Sequence, residues 1–179
     1  MFSRTGPAQA RQPDPANRAI LAIFALALAG AVLVGLSFAT GEQPQTSADI
    51  PSQIGGLKLV RTLTGEEALA NLRQMHGLDF GLTGGYVAFY ERAGTVWVGD
   101  TESEQQAQAL ISRMTQRIGA GSKEFTNLQP GEVSGQKLYW VEGQGQRHVF
   151  YARGKKTVWV AAARGVEDAF IQDAVRAIR

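Results

Sequence analysis

The spacing of apolar residues changes several times along the chain, and each change marks a predicted element. From Ala19 to Thr40 the run "AILAIFALALAGAVLVGLSFAT" is apolar on every side and carries no charged residue. A helix of about 20 residues spans a hydrocarbon core of about 30 Å, so this run predicts a transmembrane anchor at 19–40 behind a head at 1–18. A cleaved secretory signal ending near Ser37-Phe38-Ala39 is the alternative, although its apolar region would ordinarily be shorter. Residues 41–56, "GEQPQTSADIPSQIGG", follow neither the helical nor the strand period and read as a linker.

From residue 57 to 179 the periods alternate as in one folded α+β domain. "LKLVR" is strand-like, and in "TGEEALANLRQMHG" Leu69, Leu72 and Met75 recur on one helical face. Thr64 and Glu67 are spaced as a capping box, and Gly77 is placed to end that helix. "GYVAFYER" and "TVWVG" read as a hairpin turning at Ala93-Gly94. A second helix is expected from Thr101, with Glu104 completing a capping box and Ala107, Leu110, Ile111, Met114 and Ile118 on its apolar stripe. "EFTNL" and "KLYWVE" are further strands, separated by a turn over Gly131–Gly135. "HVFYARGKKTVWVAAA" is another hairpin, and Val166, Phe170, Ala174 and Ile178 mark a third helix.

Two stretches say nearly the same thing. Phe89-Tyr90 and Val96-Trp97-Val98 correspond to Phe150-Tyr151 and Val158-Trp159-Val160, and a helix follows each. Pseudo-repeats at about 57–119 and 123–179 are therefore expected, each a strand, a hairpin and a helix unable to bury its own apolar face. Together they predict a mainly antiparallel sheet with the helices on one face, within which ferredoxin-like halves fit the element order.

Charge placement changes what the basic composition means. Three arginines, Arg4, Arg11 and Arg18, precede the apolar run with only Asp14 against them, while the rest of the chain carries basic and acidic residues in equal number. The domain is thus neutral, which argues against nucleic acid as a partner. The arginine-rich head should stay in the cytoplasm and the domain should lie outside, on a single-pass anchor embedded in membrane lipid. Cysteine is absent, which removes disulfides, thiol nucleophiles and Cys-ligated metals.

Catalytic motifs are missing in form. "GEVSG" places Ser134 beside its second glycine and so is no nucleophile elbow, and "RGKKT" lacks the first glycine of a phosphate loop. Glu66, Glu67, Glu102 and Glu104 lie in expected first helical turns, where the dipole accounts for them. The two histidines, His76 and His148, are the candidate metal or haem ligands. His76 otherwise reads as a helix-end residue, and His148 as a half-buried strand residue.

Each tryptophan in the repeated strands alternates with valines and points to the opposite face from them. If the valines meet the helices, Trp97 and Trp159 line an open face, with Tyr90 and Tyr151 completing a candidate binding surface; a one-residue change of register buries the tryptophans instead. The expected function is a membrane-tethered extracytoplasmic binding or accessory domain without catalysis or cofactor, acting beside another envelope or membrane protein. A metal- or haem-handling envelope protein using His76 and His148 is the alternative, and an extracytoplasmic hydrolase the third.

Overall fold

A computed structural model describes residues 50–76, 81–91 and 93–179. The expected head, anchor and most of the linker lie outside the described residues, as do Gly77 and the side chains of Met75 and His76. No helix among the described residues is long and apolar enough to cross a membrane.

Eight strands and three helices follow one another among the described residues: β1 (Gln53–Ile54), β2 (Leu57–Thr64), α1 (Gly65–His76), β3 (Gly84–Tyr90), β4 (Gly94–Asp100), α2 (Glu104–Gly119), β5 (Thr126–Val133), β6 (Gln136–Gly143), β7 (Gln146–Arg153), β8 (Lys156–Ala163) and α3 (Glu167–Ala177). The strands form one antiparallel sheet in the order β1-β2-β3-β4-β8-β7-β6-β5. The fold is α+β as expected. Gln53 and Ile54, inside the expected linker, already pair with Lys58 and Leu57, and Ile54 is fully buried.

Hairpin chemistry sets much of this register. Ser134-Gly135 joins β5 to β6 and Gln144-Gly145 joins β6 to β7, with φ of 50° and 79° in the first pair and 53° and 75° in the second. Two consecutive left-handed residues match the twist of the flanking strands. The expected turn over Gly131–Gly135 is therefore confined to its last two residues, and β5 continues through Pro130 to Val133.

The repeated strands meet at the middle of the sheet. β4 pairs with β8 so that Val96, Trp97 and Val98 face Val160, Trp159 and Val158. Two V-W-V runs laid antiparallel are related by a local two-fold axis through the tryptophan pair, and the same axis exchanges β3 with β7, β2 with β6 and β1 with β5. The sequence equivalence holds for the V-W-V strands alone: Val87 pairs with Trp97 where Phe150 pairs with Trp159, so Phe89-Tyr90 and Phe150-Tyr151 are two residues out of step, and the helices that follow the hairpins also differ.

Helices occupy both faces of the sheet, not one. α1 packs on β2, β3 and β4, and α2 on β7, β8 and β5, burying Ala68, Leu72, Ala107, Leu110 and Ile111 with the tryptophan face. The two-fold axis would carry α2 onto the ground that α1 already holds. α3 instead crosses to the valine face, where Phe170, Ile171, Ala174 and Val175 pack with Val96, Val98, Val158 and Val160. Gly94 makes room for this: a Cβ there would lie 2.3 Å from the Phe170 ring.

Ferredoxin-like halves are likewise replaced by another topology. In such a half the strands flanking a helix run parallel with another strand between them. Here β2 and β3 flank α1 and are antiparallel neighbours, and every further connection between strands except that through α2 is a hairpin.

The capping residues also shift. α2 starts at Glu104, with Ser103 Oγ accepting from the Gln106 amide at 3.2 Å. Thr101 is buried, and its hydroxyl donates to the Lys155 carbonyl at 2.7 Å, tying the end of β4 to the β7–β8 turn.

Candidate functional site

The four aromatic residues expected to form one open surface are all buried and divide between the two faces. Trp97 and Trp159 lie under α1 and α2, while Tyr90 and Tyr151 belong to the core beneath α3. Each tryptophan N–H is satisfied inside the protein, that of Trp97 by Asn71 Oδ1 and that of Trp159 by His148 Nδ1, both at 3.1 Å. Burial pushes both tyrosines up to about 12. The Tyr90 hydroxyl donates to the Pro51 carbonyl at 2.8 Å, whereas the buried Tyr151 hydroxyl has no hydrogen-bond partner.

His148 is a core residue, 1% exposed. Its Nδ1 accepts from Trp159 and its Nε2 lies 3.1 Å from the Gly143 carbonyl, an arrangement that fits the neutral ring protonated on Nε2. Phe125 covers the ring edge-on at 5.2 Å between centroids. Burial pulls His148 down to about 4, against a smaller opposing effect of the Gly143 hydrogen bond. With both nitrogens engaged, a metal at His148 would have to displace the tryptophan or the carbonyl. The His76 side chain lies outside the described residues, and no group of three or more His, Asp or Glu among the described residues is arranged to hold a metal.

What does open to solvent is a groove on the valine face. Eight strands about 4.8 Å apart make a sheet roughly 34 Å wide, while one helix covers about 10 Å of it. α3 sits over β8 and β7, and the lead-in segment closes one side of it: the Gly55 amide donates to Asp173 Oδ2 at 2.8 Å. The opposite side, toward β5 and β6, stays open as a groove of about 450 Å³.

Trp140 on β6 forms its floor. Gly131 is directly beneath the indole, since a Cβ at that position would fall 2.4 Å from Trp140 Nε1. The glycine is thus a seat, and it allows the ring to lie across β5. Arg147 on β7 places its guanidinium 5.9 Å from the indole centroid and forms an ion pair with Asp168 on α3 at 3.1 Å. Glu142, directly opposite Arg147 in the β6–β7 ladder, and the amides of Asn127, Gln129 and Gln172 complete the polar lining. The side chains of these three amides and the Trp140 N–H make no hydrogen bond within the described structure, so their donors and acceptors are available to a ligand.

Sequence reasoning placed "KLYWVE" on a strand and passed over its tryptophan, because Trp140 has no counterpart in the repeat. That singularity was the available signal: Trp97 and Trp159 are symmetric core, and the third tryptophan is not. The remaining groove residues come from four different elements, and no local pattern links them.

Two four-stranded antiparallel meanders joined at β4 and β8 about a central two-fold axis, with two helices on one face and one on the other among the described residues, define the class of domain. The chain matches no protein-family model, and no curated protein matches it significantly.

Proposed function

We propose that this protein is a membrane-tethered extracytoplasmic binding domain that takes its ligand in the Trp140 groove and carries no catalysis of its own. The tether follows from the uncharged run Ala19–Thr40, and its direction from the three arginines before it. The observation that carries the binding role is the groove: an aromatic floor and several uncommitted polar groups converge on an opening of about 450 Å³, within the size range of ligand pockets. Its open side suits an accessory protein that presents or senses a component of the envelope, beside another membrane protein. A metal or haem role through His148 gains nothing from the surroundings of that ring, which is held by Trp159 and Gly143.

Two measurements test this. Reporter fusions should place residues before Arg18 inside and residues after Gly41 outside; the reverse orientation refutes the tether. In a thermal-shift screen of short saccharides, peptides and lipid headgroups, at least one class should raise the melting temperature of the wild type but not of Gly131→Val, in which the new side chain evicts Trp140. A screen in which every hit acts equally on both proteins removes the groove as the site.

A further inference from the structure

Resting on the binding role just described, we infer that the groove takes a neutral saccharide, with one pyranose ring laid against the part of half-buried Trp140 that Gly131 and the Arg147 guanidinium leave exposed, and its hydroxyls bonded to the surrounding amides and Glu142. Charge is the first consideration. The one guanidinium in the lining, that of Arg147, is already held by Asp168 at 3.1 Å and lies over the indole. No uncommitted cation in the lining faces a phosphate or carboxylate, which disfavours anionic ligands, and the Arg147 guanidinium already holds the cation position at the indole, which leaves an organic cation only the Glu142 carboxylate.

The second consideration is the mixture of surfaces. Trp140 and Val133 give an apolar floor and end, while Asn127, Gln129 and Gln172 supply planar groups that each donate and accept, and Glu142 supplies an acceptor. A pyranose presents the complementary mixture: an apolar face of C–H bonds, and a rim of hydroxyls that are each donor and acceptor on adjacent carbons. An amide or carboxylate can bond two neighbouring hydroxyls at once. A purely apolar ligand would leave the amides and the indole N–H desolvated without partners, which costs more than its contact with one ring returns.

The third is the shape. The groove opens to solvent between residues of α3 and β5 and holds about 450 Å³, so a sugar can enter it with the rest of its chain outside. The ion pair between Arg147 and Asp168 bridges sheet and helix at one wall and fixes the guanidinium over the indole.

The test uses the full-length chain in a detergent without a sugar headgroup, because a glycosidic detergent would compete. Trp97 and Trp159 are buried, so collisional quenching of fluorescence reports mainly on Trp140. Neutral glucan oligosaccharides, N-acetylated amino-sugar oligosaccharides and short unstructured peptides are titrated separately. One saccharide series is expected to protect Trp140 from the quencher in a saturable way. A calorimetric titration should then show its affinity reduced at least about tenfold by Trp140→Ala and by the double change Gln129→Ala with Gln172→Ala. Urea unfolding of each variant establishes that it remains folded, and Trp140→Phe, which keeps a ring, should recover part of the loss. Saccharide binding that neither Trp140→Ala nor Gly131→Val weakens overturns the proposal, and so does the absence of any saccharide binding at millimolar concentration. If peptides protect Trp140 and saccharides do not, the saccharide assignment falls while the binding role of the groove stands; if no class protects it, both fall.

Discussion

Acidification should weaken the fold through His148. The unfolded ring titrates near its ordinary value of 6.5, and in the folded protein burial holds it down to about 4. As pH falls through this window the unfolded chain takes up a proton that the folded chain refuses. The stability is therefore fully present above pH 6.5 and drains away as pH falls toward 4, at about 1.4 kcal/mol for each pH unit. Between pH 7 and pH 5 the loss is about 2 kcal/mol, a sizeable share of the 5–15 kcal/mol typical of a domain. The structural reason is specific: a proton on Nδ1 would face the Trp159 N–H at 3.1 Å, setting donor against donor inside the core. Urea unfolding of the wild type and of His148→Gln at both pH values isolates the effect, because every other titrating group cancels in the comparison. With a urea slope of about 1.5 kcal/mol per molar, the wild-type midpoint should fall by about 1.3 M more than that of the variant. Equal midpoint shifts in the two proteins would refute the reasoning and place the proton elsewhere.

Other consequences of the geometry are simpler to read. Trp97→Ala and Trp159→Ala should each cost about 3–5 kcal/mol in chemical unfolding, since both rings are core; a cost under 1 kcal/mol in either would mean that its face is open after all. Tyr151→Phe should leave stability unchanged or raise it, because the hydroxyl removed is buried without a partner, whereas Tyr90→Phe should cost about 1 kcal/mol by freeing the Pro51 carbonyl. Arg153→Ala should cost about 2 kcal/mol, because its guanidinium donates to the carbonyls of Val175 and Ile178 at the end of α3; no change in the unfolding midpoint would show that water replaces it.

Local rules written in the sequence were enough for the elements, and insufficient for their faces. The strand and helix periods located all three helices and the two repeated hairpins, because each is a matter of neighbouring residues. Capping was ambiguous for a local reason: Thr101 and Ser103 both precede α2, and the choice between them was made by the Lys155 carbonyl, which lies 54 residues from Thr101. Gly131 reads as the start of a turn because glycine does not favour a strand, yet β5 runs through Pro130 and Gly131 as an edge strand, where a proline is tolerated, and Gly131 is needed under Trp140. The candidate surface failed on the same kind of distance. Alternation correctly separated each tryptophan from its flanking valines, but which face the helices cover depends on the path of each connection across the sheet.

The repeat explains both what the structure hides and what it leaves open. Two V-W-V strands pair about a two-fold axis, and an exact repeat would have placed a helix after each hairpin on the tryptophan face, one in each half. α1, inserted between β2 and β3 in the first half only, takes the position that the axis assigns to the last helix. α3 must then cover the valine face, which without it would expose Val96, Val98, Val158 and Val160 together. One helix is too narrow for that face. The lead-in segment shields one side through Ile54, Gly55 and the Pro51 carbonyl, and among the described residues no element lies over the other. The groove over β5 and β6 is thus the part of the valine face that no described helix covers, and it is there that the unrepeated residues Trp140, Arg147 and Gln172 gather. A core made from repeated sequence and a site made from unrepeated sequence follow from the same asymmetry. Substitutions at Trp97 and Trp159 should consequently act on stability, and substitutions at Trp140 on binding.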